Sequence, residues 1–475
     1  MDNQSAPKLH VLLFPYMAHG HMIPMIDIAL LFASRNLKTT IVTTPLNQPL
    51  VSRQIKNSKF QTQIDIQLLQ FPTAESGLPE GCEHLDFILE KKLASWEIFD
   101  RFNFATTFFK HPLEKLLEKL RPDLVVADHF FHWATDSASK FGIPRVVFHG
   151  NGFFAMCAAI SVEQNIYAKH LNVDSDPTPF VIPDLPDEIT ITGKQLPANR
   201  GESETVKLFI ACREVERRSF GVIVNSFYEL EPAYADHYRN FLERRAWSIG
   251  PVSLCNRDVE EKSEDEHESL KWLNSKKPNS VVYLSFGTLS YLSADQMKEI
   301  AIGLESSGKD FIWSVIRESD HEKDWLPAGF EERMEGKGLI IRGWVPQVAI
   351  LEHEAVGGFV SHCGWNSTLE AIAAGLPIVT WPFGAEQFYN EKLLTEILKI
   401  GVSVGVEEWT KMGGDSIKSE TVKMAVNKIM EGEEAEKMRK KVKELGEMAK
   451  KAVKEGGSSY SALNALIDEV QKSKN

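Results

Sequence analysis

Short apolar strands alternate with helical patterns twice along this chain of 475 residues, and an acidic break separates the two series. In the first series, residues 9–15, 38–44, 123–128 (DLVVAD), 144–149 and 221–226 read as strands. A helix entered at Pro24 follows the first of them, and a helical stretch over 132–141 follows DLVVAD. Alternation stops at Gly250-Pro251 and the low-hydrophobicity run 257–266, then restarts with strands at 280–286, 310–316, 338–342, 357–362 and 377–381. Parallel strands need crossover connections, so each series predicts a parallel sheet covered by helices. The predicted fold class is α/β, with two tandem Rossmann-like βαβ domains facing across a cleft. The expected boundaries are a first domain over 1–247, a linker over 248–266, a second domain over 267–455 and a C-terminal helix over 456–475 that packs back on the first domain. Ligands in such sheets bind beyond the carboxyl ends of the strands.

The net charge of −13 argues against nucleic acid or an anionic membrane as partner. It leaves room for a phosphate ligand, which backbone N–H groups can hold. Cys82, Cys157, Cys212, Cys255 and Cys363 show neither zinc nor redox spacing, which suits a reducing compartment. The first apolar run is short and interrupted by Pro15, unlike a signal peptide. No stretch is long enough for a membrane span. A cytoplasmic monomer is expected. Asp174-Ser175-Asp176 has the D-x-D form of metal-dependent sugar transferases, but it precedes Pro177 in a polar stretch and reads as a solvated loop. The Lys-rich run 437–451 has Glu interleaved and reads as a solvated helix face.

The chemistry concentrates in residues 344 to 387. The predicted strand 357–362 ends in His362-Cys363-Gly364-Trp365, and Asn366-Ser367-Thr368 opens a helix with Asn366 or Ser367 as its cap. A helix N-terminus carries unpaired N–H groups and partial positive charge, which suits phosphate. His362 can add a hydrogen bond or a positive charge there. Glu370 shares a helix face with Asn366 one turn on, where a carboxylate could accept ribose hydroxyls. Ser285-Phe286-Gly287-Thr288 ends another strand and offers a second small-residue turn to the same cleft. An N-x-T sequon at Asn366 would place a glycan in this turn, which again favours the cytosol.

This stretch, together with GHMIP near the start, DLVVAD and PNSVVYLSFGT, closely resembles the plant family 1 UDP-glycosyltransferases over essentially the whole chain. The resemblance implies a GT-B fold with a UDP-sugar held mainly by the second domain. It implies that Trp344 stacks on uracil with Gln347 beside it, and that Glu370 takes the ribose. His362, Gly364, Asn366, Ser367, Gly287 and Thr288 would serve the diphosphate, and Trp365, Glu386 and Gln387 the sugar hydroxyls. The family more often carries Asp where this chain has Glu386. Gln at the position of Gln387 goes with glucose as donor.

Transfer to a hydroxyl needs a base, and histidine suits neutral pH. His19 and His21 both follow the first strand, and their spacing does not choose between them. The family pattern Gly-His-x-x-Pro matches Gly20-His21-Met22-Ile23-Pro24, which selects His21 and leaves His19 as a loop residue. Asp128, at the end of DLVVAD, would orient His21 and stabilise its imidazolium. No metal and no cofactor beyond the UDP-glucose co-substrate is expected, although His19, His21, Asp128 and His129 could be drawn as a zinc site.

Of the 27 Phe, 21 lie at or before position 241, so the first domain can build an apolar acceptor groove. Phe87, Phe130, His149 and Phe153 are the candidate acceptor contacts. Ser76–Cys82 and Phe148–Gly152 resemble one plant subgroup whose members glucosylate flavonoids, steroids, triterpenoid sapogenins and hormones. The expected activity is inverting transfer of glucose from UDP-glucose to a hydroxyl of a hydrophobic small molecule. The alternatives are a nucleotide-sugar binder without turnover and a UDP-sugar epimerase on the same fold.

Overall fold

The computed structural model describes residues 9–90, 96–167, 177–196, 204–255, 267–287, 292–315, 325–409 and 416–474. Thr288, Asp174-Ser175-Asp176 and the acidic run 257–266 lie outside them.

Seven parallel strands form the first sheet: β1 (His10–Phe14), β2 (Lys38–Thr43), β3 (Ile64–Leu68), β4 (Leu124–Asp128), β5 (Arg145–His149), β8 (Gly221–Val224) and β9 (Ala246–Ser248), in the order β3-β2-β1-β4-β5-β8-β9. Two short strands, β6 (Phe180–Val181) and β7 (Thr190–Ile191), pair separately as an antiparallel hairpin. Six parallel strands form the second sheet: β10 (Val281–Ser285), β11 (Asp310–Val315), β12 (Gly338–Arg342), β13 (Val356–Ser361), β14 (Ile378–Thr380) and β15 (Gly401–Ser403), in the order β12-β11-β10-β13-β14-β15. This is the two-sheet α/β architecture of the GT-B fold.

Apolar runs form these strands because both faces are covered. Val11 and Leu13 pack with the helix His19–Ser34 on one face, while Leu12 and Phe14 pack with Phe102, Phe109 and Phe131 on the other. Each fully buried side chain of this kind contributes roughly 1.5–3 kcal/mol. Strand order reverses between β1 and β4, which are paired neighbours, and again between β10 and β13. These two switch points are where an open parallel sheet offers a crevice.

The boundary expected at 247 falls inside β9. Ile249 and Val252, beyond the strand, are still buried in the first domain's core, so the chain leaves that domain later than its Gly-Pro punctuation suggests. The last helix, Ser458–Lys472, buries Leu463, Leu466 and Val470 in the same core as β1. Ser459 Oγ donates to the Gly250 carbonyl at 2.5 Å, and Arg35 Nε donates to Asn464 Oδ1 at 3.0 Å. Among the described residues no helix is long and apolar enough to cross a membrane.

Candidate active site

The helix after β1 begins at His19, so Pro24 lies inside it and does not open it. Pro24 lies beyond the first turn, so it removes the N–H that would otherwise pair with the Gly20 carbonyl. His21 therefore sits in the first turn, and its Nδ1–H donates to Asp128 Oδ2 at 2.7 Å. β1 and β4 pair side by side, which brings together residues 107 apart in sequence. The ionised carboxylate only accepts, so the proton is on Nδ1 and the lone pair on Nε2.

Asp128 is fully buried, and Phe130 N–H donates to its Oδ1 at 3.1 Å. Behind it, the buried Arg145 guanidinium donates to the carbonyls of Asp128 at 2.7 Å and Ala127 at 3.2 Å. Burial works against charge on both members of the pair. For His21, attraction to Asp128 and their hydrogen bond outweigh burial and raise its pKa. For Asp128, burial pushes the pKa up, but the charges and hydrogen bonds of His21 and His129 hold it far below the carboxylate range. Burial pushes His129 down to about 4, against the pull of Asp128. Nitrogen atoms of His21 and His129 and the Asp128 carboxylate lie within 4.8 Å of one another, so they are also the residues that could hold a cation.

His19 is not the loop residue expected. It is the first residue of the helix, and its Nδ1 is 3.0 Å from the buried Asp86 carboxylate, which also accepts from His19 N–H at 3.1 Å. Asp86 holds the helix entry, and its position 67 residues away left no local signal.

Beside His21 stands an aromatic wall. Phe130 packs 4.7 Å from Tyr16 and 5.7 Å from His21, centroid to centroid, and Phe209 extends it at 5.9 Å from Phe130. Tyr16 O–H donates to Asn103 Oδ1 at 2.7 Å. Phe209 is 46% exposed on the helix Glu204–Arg218, where Phe209-Ile210 interrupts a charged pattern; that pair was its sequence signal. Phe87 is half-buried, edge-on to His84 at 6.1 Å.

Two acceptor candidates are corrected. Phe153 is fully buried, 5.6 Å edge-on to Tyr238, because it opens the largely apolar, buried helix Phe153–Val162. His149 is also buried. Its Nε2 is 2.6 Å from Glu216 Oε2, and its ring stacks on His129 at 4.6 Å, so it braces the wall from behind.

In the second domain, the helix Trp365–Ala374 follows β13. Its N-cap is Gly364, with no side-chain cap, so neither Asn366 nor Ser367 plays the capping role expected. An uncapped helix end keeps its N–H groups for a ligand. The His362 ring is held between two glycines. A Cβ on Gly287 would lie 2.7 Å from its Cε1, and one on Gly364 would lie 2.3 Å from its Nε2. Gly287 also has φ +73, which favours glycine. Burial pushes His362 down to about 4, so the ring is neutral here, and a neighbouring phosphate would pull its pKa back up.

Gln347 ties three side chains together. It accepts from Tyr283 O–H at 3.2 Å and donates to Ser367 Oγ at 3.1 Å and Glu370 Oε2 at 2.7 Å. Trp344 is 68% exposed, with the Arg53 guanidinium 6.0 Å from its ring. Gln387 Oε1 accepts from the N–H groups of Phe383 at 2.7 Å and Gly384 at 3.0 Å, which fixes the amide so that its NH2 is the end left to donate. Burial raises the Glu386 pKa, opposed in part by backbone N–H groups, including that of Trp365, and by His21 across the cleft. Trp365 differs from expectation: its indole is buried, and Nε1–H donates at 2.7 Å to the carbonyl of Asn225 in the first domain.

A proton-accepting pair at one switch point, facing an uncapped helix end and an acid–amide pair at the other, defines a GT-B glycosyltransferase. Comparison with known proteins agrees. Residues 244–445 match the family described as UDP-glucoronosyl and UDP-glucosyl transferase. The UDP-glucose flavonoid 3-O-glucosyltransferase 7 of Fragaria ananassa is 52% identical, covering 99% of this chain and 98% of its own. The scopoletin glucosyltransferase of Nicotiana tabacum is 51% identical, covering 98% of each. Among solved structures, Glycyrrhiza uralensis UGT73P12 complexed with glycyrrhetinic acid 3-O-monoglucuronide superposes with a TM-score of 0.88 at 38% identity, covering 98% of this chain and 96% of its own. The chain belongs to the plant family 1 UDP-glycosyltransferases and is an enzyme of the UDP-glucosyltransferase class.

Proposed function

We propose that the protein moves glucose from UDP-glucose to a hydroxyl of a lipophilic small molecule, with inversion, giving a β-glucoside. The observation that carries this is the 2.7 Å contact between His21 and the buried Asp128 in the cleft. His21 Nε2 takes the acceptor proton as the oxygen bonds to the anomeric carbon. The bond from that carbon to the β-phosphate oxygen breaks on the opposite face, and UDP leaves with the electron pair. Asp128 stabilises the imidazolium. The uncapped N–H groups of Asn366 and Ser367 and the His362 ring stabilise the diphosphate, so no step calls for a metal.

Trp344 takes the uracil and Glu370 the ribose, with Gln347 released from its carboxylate to the base. Glu386 and the Gln387 NH2 take the sugar hydroxyls. The wall of Tyr16, Phe130 and Phe209 beside the base supports a flat phenolic acceptor, and flavonoid and scopoletin transferases are among the relatives. A triterpenoid sapogenin is the second reading, favoured by the likeness to UGT73P12. An epimerase would have no use for this wall.

The test is incubation with UDP-glucose and a panel of flavonoids, coumarins and sapogenins, with and without a chelator. A gain of one hexose with diaxial coupling at the anomeric proton is the expected product, unaffected by chelation. No hexose gained by any acceptor, or activity abolished by chelation, would sink the reading.

A further inference from the structure

The first two residues of the phosphate-facing helix are both fastened to the opposite domain. Trp365 lays its indole over Gly152, where a Cβ would lie 2.6 Å from the ring and 2.8 Å from Glu231 Oε1. Only glycine admits the ring there. Glu231 fixes this slot: it is buried and accepts from the N–H groups of Phe153 at 2.9 Å and Phe154 at 2.8 Å, and from Ser226 Oγ at 2.6 Å. While its indole N–H is held by Asn225, the backbone N–H of Trp365 serves the Glu386 carboxylate. One residue thus touches both the first domain and the sugar end of the donor site.

Asn366 makes the second fastening. Its Nδ2 donates to the Gly20 carbonyl at 2.8 Å, one residue from His21. In an unbroken helix the N–H four residues on would occupy that carbonyl. Here the residue four on is Pro24, inside the helix His19–Ser34, and it has no N–H to give. A proline that normally weakens a helix therefore leaves one acceptor free, and it is the acceptor the donor domain uses.

We propose that Pro24 and Trp365 are positioning residues: together they set the distance between the His21 imidazole and the sugar's anomeric carbon. The idea rests on His21 being the base. A displacement of about 1 Å between reacting groups costs up to roughly a hundredfold in rate.

Pro24→Ala restores the missing N–H, which then competes with Asn366 for Gly20. The expected result is a kcat lower by about ten- to a hundredfold, with UDP affinity unchanged and melting temperature no lower than wild type. Trp365→Phe loses both the indole N–H and the ring atoms seated on Gly152; it is expected to lower kcat in the same way with UDP affinity kept. The decisive measurement is a double-mutant cycle: in an Asn366→Ala background, Pro24→Ala should have no further effect on kcat. A wild-type kcat for Pro24→Ala, a loss fully accounted for by weaker UDP binding, or an undiminished loss in the Asn366→Ala background would each overturn the proposal. Turnover retained by His21→Ala would sink the base assignment separately, and the cycle would still report whether Pro24 acts through Asn366.

Discussion

Both domains place their chemistry at the switch point of a parallel sheet, yet they treat charge in opposite ways. Between β1 and β4 the first domain sets a buried carboxylate against a histidine, with Asp128 held far below and His21 above their ordinary pKa values. Between β10 and β13 the second domain suppresses charge: burial pushes His362 down to about 4 and raises Glu386. The difference follows from the task. A base must exchange a proton in every turnover, so it needs a partner that changes its affinity for that proton. A diphosphate brings its own charge and is met by fixed N–H dipoles, which need no reorganisation.

The largest test of this contrast is removal of the base. His21→Ala is expected to lower kcat by roughly 10²–10⁴-fold while UDP affinity stays put, because the group deleted belongs to the other domain. Retained turnover would point to His19, whose Nδ1 is 3.0 Å from its own buried carboxylate. Asp128→Asn should cost about a hundredfold or more and move the pH profile. The base works neutral, so kcat/KM falls as pH drops through the His21 pKa, which Asp128 raises above 6.5. Without the carboxylate, burial remains and the acidic limb shifts to lower pH. A limb that stays in place would mean that another group titrates.

The candidate donor residues were legible as a group because they are nearly contiguous. Trp344, Gln347, His362, Glu370 and Glu386 come from one stretch, and strand, turn and helix in succession bring them to one sheet edge. The acceptor side is assembled by topology. Tyr16 and Phe130 pack against His21, Phe209 extends the wall from Phe130, and Asp86 holds His19; these residues come from separate elements or loops far apart in sequence. Central strands were readable as apolar runs, whereas β3 (IDIQL) and β15 (GVS) lie at sheet edges and carry too little apolar pattern. The place of the Trp365 indole was not legible either: it rests on the first domain, and nothing local shows that Gly152 has left room for it.

On the donor side, Trp344→Ala should weaken UDP binding by roughly five- to a hundredfold, the range for loss of one base stacked on an aromatic ring. The side chain is 68% exposed, so thermal stability should barely change. Titration with UDP alone reads the effect without any acceptor. Unchanged affinity would move the base elsewhere and break the reading of the second domain as a nucleotide site built from its own motif.

The smallest effect separates wall from core on the acceptor side. Phe130 stands 5.7 Å from His21, half-buried, and the contact it gives Asp128 is a backbone N–H that survives truncation of the ring. Phe130→Ala should therefore raise KM for a flat acceptor a few-fold to about tenfold, as expected for loss of one aromatic contact, with little change in melting temperature. Phe153→Ala removes a fully buried ring and should cost about 3–5 kcal/mol of stability while the surviving enzyme keeps its acceptor KM. Steady-state kinetics and thermal unfolding on both variants distinguish the two. If Phe153→Ala shifts acceptor KM and Phe130→Ala does not, the groove runs behind the helix Phe153–Val162 instead of along Tyr16, Phe130 and Phe209.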